Sequence, residues 1–273
     1  MIDYAVLESK FYIVTVERPN ARLSASLAEL SCEAGMAPFL DTYGQLIKAT
    51  AIEAPAAYLA GMLGTLGAGL QACLSLMNRD PGWRAETVVI QLCKEGDYYS
   101  PVFLVRRAAN PVAGPLEQEA REGWLTEAFG SFYGAMLRPI LEAASSVSGL
   151  PIHQLWGQLP TRLNYSVPLM TDFAGVDQAV ADRVNRDYDF LKTGLQPMDC
   201  FGRAKNPLNV RVRWIESLYE PERQMRMKNA CCQYYQIEGG SYCYTCPRLK
   251  ESEREARRTR HRAEAALQSA GAK

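Results

Sequence analysis

Residues 54–78, APAAYLAGMLGTLGAGLQACLSLMN, run for 25 positions without a charged side chain. About 20 apolar residues suffice to cross the hydrocarbon core of a bilayer, so the fold class turns on whether this segment spans a membrane or lies at the centre of a protein. Four glycines, Gln71, Thr65 and Ser75 interrupt it, and no cluster of Lys or Arg flanks it as an oriented span would require. Gly61, Gly64 and Gly67 recur every three residues and would let a second helix approach along that stripe. The segment therefore reads as a central buried helix, with a membrane span as its alternative; peripheral membrane association is kept separately as a partner expectation.

Working outward, residues 11–17 (FYIVTVE) are β-branched and aromatic and predict a short strand. Ser24 then precedes a helix over 25–34 closed by Gly35, and a second helix runs from Pro38, at a first-turn position, to about Thr50. On the other side, residues 87–93 (TVVIQLC) and 99–105 (YSPVFLV) predict a β-hairpin across 94–98, with Pro101 placing its second strand at an edge or a bulge. Residues 116–146 read as helix bent or divided at Pro139. Further helices follow over 152–159 and 176–191, until Gly194 and Pro197 end the pattern. Residues 199–209 read as loop, and 210–215 as a short strand projecting Arg211 and Arg213 to one side. The class is α+β: a helix-dominated body with a small antiparallel sheet.

The 273 residues are 48% apolar and 22% charged, which excludes wholesale disorder. Their formal charge of zero hides an asymmetry. Residues 1–200 carry 15 basic and 22 acidic side chains, and residues 201–273 carry 15 basic and 8 acidic. The expected organisation is a helix-rich body over 1–200, a basic cysteine-bearing segment over 201–247, and a charged tail over 248–273 read as a solvated helix. Charge alone does not make that tail a nucleic-acid binder, and no nucleic-acid partner is expected. Asp3 and Glu8 stand where a signal peptide would be positive, so the expected location is cytoplasmic. In that reducing compartment a tight group of thiols points to a metal site rather than to disulfides.

Such a group exists. Residues 229–247 read NACCQYYQIEGGSYCYTCP, with spacing C-C-x10-C-x2-C. Cys231, Cys232, Cys243 and Cys246 supply four thiolates, enough for a tetrahedral zinc or a [2Fe–2S] cluster. Adjacent side chains in extended backbone point apart, so Cys231 and Cys232 suit a two-iron target, whereas a zinc ribbon normally draws on two C-x2-C knuckles. Spacing alone leaves both open. Gly239 and Gly240 allow the reversal that brings the pairs together. Upstream, residues 203–228 carry seven basic against three acidic side chains, and Arg211, Arg213, Arg226 and Lys228 are candidates for docking a substrate or donor. Positive charge there would also raise the potential of an all-thiolate cluster. His153 and His261 are the only histidines, which argues against a His–Cys catalytic pair. Tyr234, Tyr235, Tyr242 and Tyr244 surround the ligands as shields or as packing. Trp156 and Trp214 read as core, and Cys32, Cys73, Cys93 and Cys200 as inert thiols.

The run Cys231-Cys232-x-Tyr234-Tyr235, then Gly239-Gly240-x-Tyr242-Cys243-x-x-Cys246-Pro247, resembles the C-terminal signature of the FhuF family of ferric siderophore reductases. Leu155-Trp156-Gly157 is similar to a weaker stretch of the same family. Gln233 departs from the pattern, where an apolar residue is expected, and the basic tail extends past the family's usual end. The resemblance implies a [2Fe–2S] cluster held by Cys231, Cys232, Cys243 and Cys246. It also implies transfer of one electron to the ferric ion of a siderophore, typically a hydroxamate, with release of ferrous iron. No residue is expected to be catalytic beyond the cluster. The chain has no G-x-G-x-x-G dinucleotide fingerprint, so an external donor such as a ferredoxin or an NAD(P)H-dependent reductase is expected. The alternative is a zinc-stabilised siderophore-binding or adaptor protein without redox activity.

Overall fold

In the computed structural model, which describes residues 1–106, 111–173 and 175–271, the first element is a helix, α1 (Tyr4–Phe11). Asp3 caps it: the carboxylate accepts from the N–H groups of Ala5 and Val6 at 3.0 and 3.1 Å, satisfying two donors that a helix start leaves open. Tyr12, at φ 58°, ends the helix. Of the expected strand over 11–17, only β1 (Ile13–Val14) forms.

The helix expected over 25–34 is also replaced, because β2 (Ala21–Ser26) occupies its start. Ser26 and Glu29 cap one another. The Glu29 carboxylate accepts from the Ser26 N–H and hydroxyl, and the Ser26 hydroxyl accepts from the Glu29 N–H. The chain turns there, and α2 (Glu33–Leu46) follows. Gly35 lies inside α2 rather than closing a helix, because a Cβ there would fall 2.0 Å from the Glu29 carbonyl oxygen. Pro38 is likewise interior, at the cost of the single bond its N–H would have given.

The uncharged run forms α3 (Glu53–Gln71), continued by a wide π turn at Ala72–Leu76. It is long and apolar enough to cross a membrane by composition. Yet 83% of its most apolar 18-residue window is buried inside the protein, so it is the core helix here. Its glycine stripe works at Gly64, where a Cβ would lie 3.0 Å from the Leu159 Cα of a neighbouring helix.

After β3 (Arg79–Asp80), the expected hairpin is present as β4 (Val88–Glu95) and β5 (Tyr98–Val105). Its turn is tighter than expected, with Glu95 facing Tyr98 and Gly96 at φ 59°. The sheet order is β1-β5-β4-β2, with β1 parallel to β5 and the other pairs antiparallel. Pro101 is tolerated because β1 pairs only with Phe103 and Leu104, which leaves the flank of β5 beside Pro101 open.

Beyond β6 (Val112–Ala113), which pairs with β3, come α4 (Gln118–Phe129), a second π stretch at Gly130–Leu137, and α5 (Arg138–Ser148) with Pro139 in its first turn. Helix runs unbroken across Pro139 through Ser148, so the expected division there is not seen; the irregularity is the π stretch just before it. Next are α6 (Ile152–Trp156), α7 (Leu159–Met170), α8 (Gln178–Thr193) and the short α9 (Pro197–Phe201). Helix α7 was not expected, and α9 sits partly in the expected loop. The expected strand over 210–215 is displaced. β7 (Trp214–Glu216) pairs with β8 (Gln224–Arg226), so Arg211 and Arg213 precede the strand, and the Arg213 carbonyl accepts from the Met227 N–H at 2.8 Å. Finally α10 (Glu251–Gly271) closes the described chain.

Candidate metal centre

The cysteine segment is a loop tied to the body at several points. Antiparallel pairing of Ala49 with Ile237 joins it to the turn after α2, and Glu238 N–H donates to the Lys48 carbonyl at 3.0 Å. Thr50 donates its N–H and its hydroxyl to the Gln236 carbonyl at 2.8 and 3.0 Å. On the other side Gln158 Nε2 donates to the Cys231 carbonyl at 2.9 Å, and Asn229 N–H donates to the Thr161 hydroxyl at 3.2 Å. Gly157 permits this contact: a Cβ there would meet the Ala230 Cβ at 2.9 Å. Gln233, which breaks the family pattern, is 2% exposed at φ 59° and donates to Gln154 Oε1 at 3.2 Å. It is an anchor rather than a solvent residue.

These ties bring all four sulfurs together as a chain. Cys231 and Cys246 sulfurs lie 3.5 Å apart, Cys246 bonds to Cys243, and Cys243 bonds to Cys232. The adjacent cysteines thus face different partners, as the extended-backbone argument requires. Cys231 and Cys246 are buried beside Leu249, Tyr235 and Tyr242, while Cys232 and Cys243 are half-exposed. The centre therefore lies just beneath the surface.

Its surroundings favour negatively charged sulfur at Cys231 and set an ammonium and a backbone donor against Cys232 and Cys246. Lys228 Nζ donates to Cys232 Sγ at 3.2 Å, and the Arg248 N–H donates to Cys246 Sγ at 3.4 Å. The hydrogen bond from Cys246 pulls the Cys231 thiol down to about 7 against the effect of burial, and the Gln233 N–H adds to the pull. The bonds to Cys243 and to Cys231, respectively, push the Cys232 and Cys246 thiols up. Burial works against the Lys228 ammonium, but Cys232 and Cys243 outweigh it and hold its pKa above the ordinary value. Four thiols within one proton-sharing chain, met by an ammonium and backbone donors, are the donor set of a thiolate-bound iron–sulfur group. Replacing Lys228 with Met should lower the reduction potential of the loaded protein by on the order of 50 mV, because reduction adds negative charge that the ammonium stabilises. Potentiometric titration followed by visible absorbance checks this; an unchanged potential would reject it.

The other expected docking residues divide. Arg211 and Arg213 are exposed. Arg226 is committed, donating to the Asn164 carbonyl of α7 and lying over the Trp214 ring at 5.2 Å. Trp214 is 51% exposed, so its expected place in the core is wrong, whereas Trp156 at 1% is core. Tyr235 and Tyr242 pack on each other with centroids 4.7 Å apart, under the Arg248 guanidinium. The Tyr244 hydroxyl donates to the Glu216 carbonyl at 2.7 Å, and Tyr234 is exposed. Of the other thiols, Cys73, Cys93 and Cys200 are buried with pKa values raised chiefly by burial, to about 12 for Cys200, and Cys32 is exposed.

Two contributions were missed in the sequence. Tyr58 of α3 reaches the centre: burial chiefly raises its pKa, and Cys232, Tyr234 and Cys243 raise it further. The second is α10, expected to be solvated. Arg254 is 2% exposed and donates to the carbonyls of Tyr244, Cys246 and Leu249 at 3.1, 3.0 and 3.2 Å. Arg257 donates to the Tyr242 carbonyl at 2.6 Å. Arg258 donates to the Tyr244 hydroxyl and pairs with Glu251 and Glu216, and Arg262 also pairs with Glu216. The first half of α10 is a clamp on the loop that carries Cys243 and Cys246. Arg254, Arg258 and Arg262 recur every four residues, the spacing of one helix face, and that recurrence was the available signal.

Comparison with known families matches residues 229–248 to the family described as FhuF 2Fe-2S C-terminal domain. The matched segment is a [2Fe–2S] cluster-binding domain, which decides between the two metals that spacing left open. No curated protein matches the chain.

Proposed function

We propose that this chain, which carries an FhuF-type [2Fe–2S] C-terminal domain at residues 229–248, is a cytoplasmic ferric siderophore reductase. The observation that carries this reading is the chain of four sulfurs, held just below the surface and faced by the Lys228 ammonium. A [2Fe–2S] cluster bound by Cys231, Cys232, Cys243 and Cys246 supplies a one-electron couple.

The substrate is Fe(III) in an oxygen-donor chelate, hydroxamate included. Iron takes up one electron, becomes Fe(II) and is held less tightly by hard oxygen ligands; an external ferredoxin or NAD(P)H-dependent reductase replaces the electron. No bond to carbon is made or broken, so no nucleophile is required. The protein's own part is positional. Gln158 and Asn229 fix the entry to the cysteine loop, and Arg254 fixes its exit. Tyr235, Tyr242 and Leu249 exclude water from the buried pair of sulfurs. Lys228 offsets the charge that accompanies reduction.

The test begins with purification without oxygen. The protein should be brown, bleach with dithionite, and regain its colour on addition of a ferric siderophore, with one ferrous ion trapped by a chromogenic chelator per cluster oxidised. Cys243→Ala should be colourless and inactive. A colourless wild-type protein containing zinc, or a reduced protein that ferric chelates leave bleached, would overturn the reading.

A further inference from the structure

The structure also points to where that substrate sits, an inference that rests on the reductase reading. Between the loop after α9 and the entry to the cysteine segment lies a half-open cavity of about 360 Å³, lined by Trp156, Gly157, Arg203, Lys205, Asn206 and Asn229, with His153 at its margin. A cavity of this size holds a small molecule rather than a protein surface. One wall belongs to the metal centre itself. Asn229 donates its side-chain N–H to the Gly157 carbonyl at 3.3 Å, and Cys231 follows it two positions later.

The cavity gathers positive charge with no carboxylate to offset it. Trp156 is 1% exposed, and its indole N–H has no acceptor in the protein. That nitrogen is itself sealed from solvent, so the indole forms the apolar floor of the cavity and the cations beside it carry recognition. Arg203 and Lys205 add two cations whose side chains have no ion pair or hydrogen bond among the described residues. Their loop is fixed. Asn206 donates to the Leu191 and Lys192 carbonyls at the end of α8, at 2.8 and 3.0 Å, and accepts from the Leu208 N–H at 2.9 Å. Gly202 at φ 62° completes the turn, and a Cβ there would strike the Arg138 guanidinium. No carboxylate lines the cavity.

We propose that this cavity is the binding site for the iron chelate, and that it selects chelates of net negative charge. Carboxylate, catecholate or pendant acidic oxygens of the ligand would accept from Arg203 and Lys205. Charge, more than the class of chelating group, sets the preference. A neutral or cationic hydroxamate complex binds more weakly than an anionic complex of similar size.

Redox-inert gallium(III) complexes test binding apart from turnover. On the cluster-loaded protein, isothermal titration with gallium tris(catecholate), which is anionic, should give tighter binding than with a cationic gallium trihydroxamate, by about tenfold or more at low salt. The double variant Arg203→Ala/Lys205→Ala should weaken the anionic complex by about tenfold or more. The visible spectrum and iron content should stay as in wild type. Equal affinities for the two complexes, or unchanged affinity in the double variant, would overturn the proposal. A wild-type protein that binds the gallium complex but does not reduce its ferric counterpart would instead remove the reductase reading and leave the site standing.

Discussion

Arg254→Ala is expected to yield a protein that folds but retains little or no iron. The guanidinium is buried, and it alone among the described side chains bridges the carbonyls of Tyr244, Cys246 and Leu249 while also pairing with Glu251. Removing it takes a donor from three loop carbonyls, of which that of Cys246 keeps the Leu249 N–H at 3.2 Å, at roughly 1–3 kcal/mol for each left dry. The loop has only a small apolar cluster of its own, formed by Cys231, Cys246, Leu249 and their tyrosine neighbours. It would open rather than bear that cost, and Cys243 and Cys246 would separate from Cys231 and Cys232. Iron and sulfide per chain after anaerobic purification, with the visible spectrum, measure the outcome. Arg254→Lys should rescue poorly, because one ammonium cannot span three acceptors as a planar guanidinium does. Exposed Arg260 is the control, and Arg260→Ala should keep its full iron content. Wild-type iron content and melting temperature in Arg254→Ala would refute the clamp.

The second large effect falls at the opposite end of α3. Asp187 of α8, 2% exposed, accepts from Arg121 Nε and Nη2 at 2.8 and 2.5 Å and from the Ser75 hydroxyl at 2.6 Å. Arg121 of α4 also donates to Asn78 Oδ1 and to the Pro115 and Leu74 carbonyls. The network joins α4 and α8 to the π turn that ends α3. Asp187→Asn keeps the shape but strands a buried guanidinium, and should destabilise the protein by about 3–5 kcal/mol. Denaturant unfolding at neutral pH would show a lower midpoint with an unchanged slope. The spectrum of the folded fraction should not change, since Tyr58 and Ser75 are 17 residues apart along this helix, roughly 25 Å at its rise. A loss below about 1 kcal/mol would show that water reaches the pair and relieves it.

Those two sites differ in how visible they are in the sequence. The hairpin was legible because two apolar, β-rich runs flank a short turn containing glycine. The core role of 54–78 was legible from its hydroxyls, its glycines and the absence of cationic flanks. The four cysteines were legible because few chemistries require that spacing. What the sequence concealed depends on partners distant along the chain. The β2 strand exists because it pairs with β4, and its own residues, ARLSAS, carry no strong β preference. A short cap at Asp3 outweighed the β-branched run that follows α1. Arg121 and Asp187 look like surface charges until α4 and α8 meet across the π turn. Within α10, a run rich in Arg and Glu has the composition of a solvated helix, and only the loop beneath it reveals which arginines are buried.

The clamp also imposes an order on assembly. Arg254 lies eight residues after Cys246, whose carbonyl it holds. A growing chain therefore presents all four thiols before it presents the side chain that closes their loop. At synthesis rates of about 5–20 residues per second that interval is at most a couple of seconds, brief but always in the same direction. Machinery that delivers iron and sulfide meets an open loop first and a closed one afterwards. A nascent chain stalled between the last cysteine and Arg254 would hold every ligand and still be unable to keep its cargo.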